Sequence, residues 1–182
     1  GEDGIPVYRV KPDTSRPIEK VYIYYGYERD PRNRFWTDAR ATTQEGVWEA
    51  PCPLFDLEEP LFAFANVHYK LAEYERQSGD PDHCILSVAD AAYPEALQAA
   101  KVKVTERVHR EMDDFSRGFH DWYTLNIRNP HHWLISTRKL VDPRWEAPRG
   151  AALSLEIETT HANNILSVEL KTDTWRSYTG RK

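Results

Sequence analysis

Alternation of apolar and polar positions runs through most of this chain and predicts strands. In Lys20-Val21-Tyr22-Ile23-Tyr24-Tyr25-Gly26-Tyr27, Val21 and Ile23 share one face and Tyr22 and Tyr24 the other. That is a strand with aromatic cover on both sides. Ile5 to Val10 alternates in the same way, and Pro6 suits a strand start or a sheet edge. Asp30-Pro31-Arg32-Asn33 reads as a turn. Two further strands follow, over Gly46–Ala50 and Leu61–Leu71. In the second, Phe62, Phe64 and Asn66 oppose Leu61, Ala63, Ala65 and Val67.

The segment Gln77–Asp82 reads as a loop, and Cys84–Val88 as a short strand. Pro94-Glu95-Ala96-Leu97-Gln98-Ala99-Ala100 collects helix formers behind a proline, which predicts one short helix. Strands resume at Trp122–Asn126, Trp133–Leu140, Ala151–Thr159 and Ile165–Thr172. The last two alternate most cleanly, through Leu153, Leu155, Ile157 and Leu166, Val168, Leu170. His161-Ala162-Asn163-Asn164 between them supplies a turn of hairpin-like length. The pattern predicts an all-β chain of two β-sandwich units with one short helix. Its expected organisation is a first unit over 1–76, a linker carrying the helix over 77–111, and a second unit over 112–182.

Composition narrows the function classes. The chain has 182 residues, 40% of them hydrophobic, and a mean hydropathy of −0.71, while an aromatic content of 12% argues against disorder. The 24 basic residues against 29 acidic ones give a net charge of −5, which disfavours a nucleic-acid partner. No apolar run is long enough to span a bilayer, and a membrane role is not expected. Cys52 and Cys84 can pair or stay apart, and two cysteines supply no zinc framework. The nucleophile elbow, phosphate loop, dinucleotide fingerprint and zinc helix are all missing from the sequence, so no catalytic residue is assigned.

The histidines offer weak metal candidates. His131 and His132 are adjacent, so a strand would turn their rings to opposite faces, and His120 with one of them is the more workable pair. His83 beside Cys84, with Asp80 and Asp82 nearby, reads first as an acidic loop.

Met112-Asp113-Asp114-Phe115-Ser116-Arg117-Gly118-Phe119-His120-Asp121-Trp122 places two carboxylates before a turn glycine and a tryptophan. It resembles the opening strand of galactose-binding-like jelly-roll modules, several carbohydrate-binding families among them. Ser116 stands where those families often carry an acid. The likeness continues through Asn129–Trp133, Thr137–Leu140, Asp142–Trp145 and Pro148–Ala151. The span looks like the C-terminal β-domain of bacterial α/β-hydrolases of the acetylxylan-esterase or dienelactone-hydrolase kind. Arg32–Trp36, Trp48 and Leu61–Val67 are similar to an immunoglobulin-like accessory domain of hydrolases akin to the PhoPQ-activated proteins. Together these resemblances cover roughly residues 5–71 and 112–176.

The resemblance implies a non-catalytic accessory module that binds carbohydrate for an attached hydrolase. The alternative is a scaffolding unit that packs on the hydrolase domain without binding sugar. It further implies Ca²⁺ near Asp113 or Asp114, completed by other oxygen ligands. Sugar rings stack on indole and phenol faces, so Trp36, Trp122, Trp133, Trp145 and the tyrosines are the candidate aromatics. Trp133, in the turn segment Asn129–Trp133, and Trp145, in the loop that follows the next strand, are expected to stack on ligand, with His132 and Arg138 as looser candidates. The partner is then a polysaccharide or an attached hydrolase. The protein is expected to be secreted or periplasmic, with its leader or a preceding domain upstream and its second unit truncated.

Overall fold

The computed structural model describes residues 3–27, 29, 34–72, 83–108, 110–116, 118–119, 122–125, 134–158, 162–163, 165, 167–171 and 177–181. The chain is all-β with one short helix, its strands paired antiparallel. It divides into two compact units, Gly1–Pro148 and Arg149–Lys182.

In the first unit, β2 (Ile18–Gly26) and β6 (Leu61–Lys70) form the centre of a four-stranded sheet. The two-residue strand β3 (Thr37–Asp38) lies outside β2, and β7 (His83–Ala92) lies outside β6. A three-stranded sheet joins β1 (Val7–Val10), β5 (Val47–Pro51) and β4 (Thr42–Gln44), with β5 in the middle. The pleat sends alternate side chains to opposite faces, and the core uses one parity only. Val21, Ile23 and Tyr25 of β2 meet Ala63, Ala65, Val67 and Tyr69 of β6. Ala50 of β5, with Cys52 and Leu54 behind it, joins the same cluster, and Tyr8, Val10 and Trp48 pack against it. The two sheets therefore share one core.

The helix α1 (Pro94–Ala99) starts on the proline expected for a first turn and drives Leu97 into that core. Beyond it the chain forms two isolated parallel bridges, Val104 with the earlier Leu54 and Val108 with the later Trp145. A small hairpin-like sheet pairs β8 (Trp122–Leu125) with β9 (Leu134–Thr137), followed by a 3-10 turn over Lys139–Val141. In the second unit, β10 (Ser167–Lys171) pairs with β11 (Ser177–Arg181).

Three expectations change here. The stretch 77–111 is no linker, because β7 within it pairs with β6 over its whole length. It is twice the strand that the apolar run Cys84–Val88 suggested, since pairing extends to the small residues Ala89, Ala91 and Ala92. The boundary between units lies after Pro148 and not near 76 or 111. Residues 151–158 form no strand, although Leu153, Leu155 and Ile157 alternate cleanly, and all eight residues are exposed. Alternation makes a strand only when a neighbour supplies hydrogen bonds, and Ser167–Lys171 pairs instead with Ser177–Arg181. The expected turn at Asp30–Asn33 lies outside the described residues. Both cysteines are free thiols.

Core membership decides the cost of truncation. Ile23→Ala, at a fully buried site, should lower stability by about 2–5 kcal/mol, while Leu153→Ala should stay within about 0.5 kcal/mol. Urea denaturation followed by tryptophan fluorescence measures both.

Candidate functional site

Of the sequence-predicted site residues that are described, Arg138 directly precedes Lys139, and Trp145 and Asp113 each hydrogen-bond to Lys139. Trp133 and His132 lie outside the described residues, as do His120 and His131. Arg138 is exposed at the start of the 3-10 turn, where its carbonyl accepts the Val141 N–H. Trp145 is half-buried, and its indole N–H donates to the Lys139 carbonyl at 2.6 Å. That bond fixes Trp145 in the turn that follows β9, beside the buried Asp142 and its partner Arg144.

Asp113, expected near a calcium ion, has its oxygens committed to protein donors. Its Oδ2 accepts from Lys139 Nζ at 2.6 Å and from the Trp122 indole N–H at 2.8 Å. Its Oδ1 accepts the Phe115 amide at 2.9 Å. The Lys139 and Asp113 side chains are only 8% and 13% exposed. An ammonium already neutralises this carboxylate, so a cation there would have to displace Lys139. Burial alone would raise the Asp113 carboxyl, but the hydrogen bonds from Lys139, Trp122 and Phe115 outweigh it and hold it below the ordinary value. Asp114 is exposed, and the Ser116 side chain and amide lower its carboxyl through hydrogen bonds. No group of three or more metal-ligating side chains occurs among the described residues.

The pair organises a loop. With Trp122 held by Asp113, the rings of Phe115, Phe119 and Trp122 contact one another at centroid distances of 5.6–6.3 Å. Phe115 takes a positive φ of 52° to make the turn, and Phe119 remains 58% exposed.

A larger aromatic surface lies on the outer face of the four-stranded sheet. The parity that buries Val21 and Ile23 sends Tyr22 and Tyr24 outward, and their register partners on β6 are Asn66 and Phe64. Phe64 stacks on Tyr24 at 5.1 Å and takes the edge of Trp36 at 4.8 Å. Arg34 lies over both Trp36 and Phe62, at 5.1 and 3.5 Å from their ring centres. Tyr22 continues the row toward His68 at 5.4 Å, and Lys20 lies over the Tyr22 ring. From Phe62 to His68 this face extends about 20 Å along the strand.

Polar groups stand among the rings. Ser87 Oγ donates to Asn66 Oδ1 at 2.6 Å, which leaves the Asn66 NH₂ as the donor on its row. Gly26 makes room at one end, because a Cβ there would lie 2.6 Å from the Phe35 carbonyl and 2.9 Å from the Arg34 stem. The alternation of Tyr22, Tyr24, Phe62 and Phe64 was readable in the sequence. Their junction with Trp36 and Arg34 was not, because β3 is only two residues long and gives no periodic signal.

Titration in the first unit follows burial. The Cys52 thiol is pushed up to about 11 by burial, so it stays protonated at neutral pH and is a core side chain, not a thiolate. Burial also raises the Tyr25 and Tyr27 phenols well above their ordinary value. His68 is lowered, first by burial and then by Lys20 and His83, and its Nδ1 makes no hydrogen bond among the described residues.

Three outcomes follow from these groups. Lys139→Met should cost about 3–5 kcal/mol by stranding a nearly buried carboxylate. Asp113 binds its proton less readily when native, so the stability it confers is full above about pH 3.9 and lost as pH falls through the native value. Asp113→Asn should therefore flatten the acid limb of a stability-against-pH curve. His68 has the same sign in a higher window: its lowered native value makes stability fall as pH drops below about 6.5. His68→Gln should reduce the change in urea midpoint between about pH 7 and pH 5.5.

Comparison of the chain with protein-family models, with curated proteins and with solved structures finds no match.

Proposed function

We propose that this chain is a non-catalytic module that binds carbohydrate on the outer face of its four-stranded sheet. The observation that carries the reading is the continuous row of rings from Phe62 and Trp36 through Phe64, Tyr24 and Tyr22. Axial C–H groups of a sugar ring pack on such faces, and the Arg34, Lys20 and Asn66 donors suit its hydroxyls. A row of rings running along the strands from Phe62 to Tyr22 suits several residues of a polymer better than one small ligand. The immunoglobulin-like and jelly-roll assignments, and service to an attached hydrolase, rest on the sequence resemblance.

A second reading, a scaffolding surface for a hydrolase domain, is favoured by the loop of Phe115 and Phe119. Those two exposed rings cluster with Trp122 and would suit burial against another domain.

Affinity electrophoresis and calorimetry against plant and algal polysaccharides separate the two readings. Trp36→Ala and Tyr24→Ala should each cost about 1–3 kcal/mol of affinity, with Trp145→Ala much less, because its indole is tied to the Lys139 carbonyl. Binding that survives both face substitutions in folded protein overturns this placement. A wild type that binds none of the polysaccharides overturns the carbohydrate reading in favour of the scaffolding one.

A further inference from the structure

The four-stranded sheet ends at β7, and the backbone groups that β7 turns outward follow from its register. The Lys70 N–H donates to the Pro17 carbonyl on the β2 side, so even-numbered residues of β6 turn their backbone groups toward β2. Odd-numbered residues of β6 therefore bond β7, and their partners are Cys84, Leu86, Val88 and Asp90. Ile85, Ser87 and Ala89 are left with N–H and C=O directed away from the sheet, where no strand pairs with them among the described residues. The next outward amide, Ala91 N–H, is taken by the Asp90 carboxylate at 2.7 Å.

Among the described residues, this edge has little protection besides Asp90. It runs ten residues in unbroken register with β6, and it contains no proline and no lysine. Ile85, Leu86 and Val88 are 48%, 61% and 47% exposed on it. Such an edge suits another extended strand.

We propose that the occupant is a second copy of this chain, with two β7 strands pairing antiparallel about a two-fold axis at Ser87. That register opposes Ser87 to itself and Ile85 to Ala89, so the three open residues exchange all their hydrogen bonds with one another. On the core side Leu86 opposes Val88, and a large side chain meets a smaller one. Asp90 is the one carboxylate on the strand, and it faces Cys84 of the other copy and not its own equivalent. The axis is perpendicular to the sheet, so core-side residues meet core-side residues, as an isologous interface requires. Only a few side chains and one strand edge are covered, which makes the dimer weak and concentration-dependent.

Sedimentation velocity and light scattering of the full chain, from about 1 to about 300 µM, test this directly. The mass should climb from 21.2 kDa toward that of two chains. Hydrogen exchange at the Ile85, Ser87 and Ala89 amides should slow as concentration rises. Ala89→Pro removes one outward N–H without touching the β6 ladder and should weaken association by about tenfold or more. Leu86→Lys, on the exposed core side, should weaken it similarly and decides the matter if the proline variant fails to fold. A single monomeric species at every concentration overturns the proposal. So does a dimer undiminished in a folded variant, or edge amides that stay unprotected in the dimer.

Discussion

Pairing of β2 with β6 in one register from Lys20 to Gly26 is the constraint on which both faces of the sheet depend. Side chains alternate with a period of two, so a slip by one residue would exchange the two faces entirely. Val21, Ile23, Ala63 and Ala65 would then face water, and Tyr22, Tyr24, Phe62 and Phe64 would be forced into a core sized for alanines. The small residues of β6 are therefore as informative as its large ones. Ala63 and Ala65 let the three-stranded sheet come close, with the fully buried Ala50, Cys52 and Leu54 filling the space above them. The same register sets Tyr24 opposite Phe64, a cross-strand aromatic pair that further favours the observed alignment.

Closure of the aromatic face depends on residues that are not periodic. β3 pairs with β2 through only Tyr24–Asp38 and Tyr25–Thr37, yet this short contact brings Trp36 onto Phe64. Tyr25 and Thr37 share a hydrogen bond beneath it. Arg34 reaches Phe62 across Gly26, where any side chain would meet the Phe35 carbonyl. The electrostatic contact that orders the Asp113 loop works similarly at a distance. Lys139 is 26 residues from Asp113, and its ammonium fixes the carboxylate that in turn holds the Trp122 indole.

These cases show what a single sequence makes legible. β2, β5, β6 and the helix were readable because local alternation or a proline-led cluster of helix formers agrees with their packing. The Leu153–Leu155–Ile157 alternation misled because pairing partners are not encoded locally, and those side chains stay exposed. At Asp113-Asp114 the sequence shows a carboxylate pair but not the distant Lys139 ammonium that pairs with Asp113. At Trp145 the sequence shows an indole near turn residues but not the Lys139 carbonyl that takes its N–H. Trp36 stood among the candidate aromatics, but only the fold places it on the face with Tyr24 and Phe64.

The face and the edge are linked by geometry. In an antiparallel two-fold pairing the axis is perpendicular to the sheet, so the outer faces of both copies point the same way. β7 lies next to β6, which carries Phe62, Phe64 and Asn66, and strands are spaced by about 4.8 Å. The two aromatic rows would then flank a strip of paired β7 strands whose outward side chains are Ile85, Ser87 and Ala89. That strip is low and has only small or medium groups near its axis, so it would not block a ligand crossing from one row to the other. Two weak surfaces held at fixed separation bind an extended polymer more tightly than either alone, because the second contact becomes intramolecular. A weak edge dimer would raise avidity for a repeating ligand without any change in the contacts made by Trp36 or Tyr24.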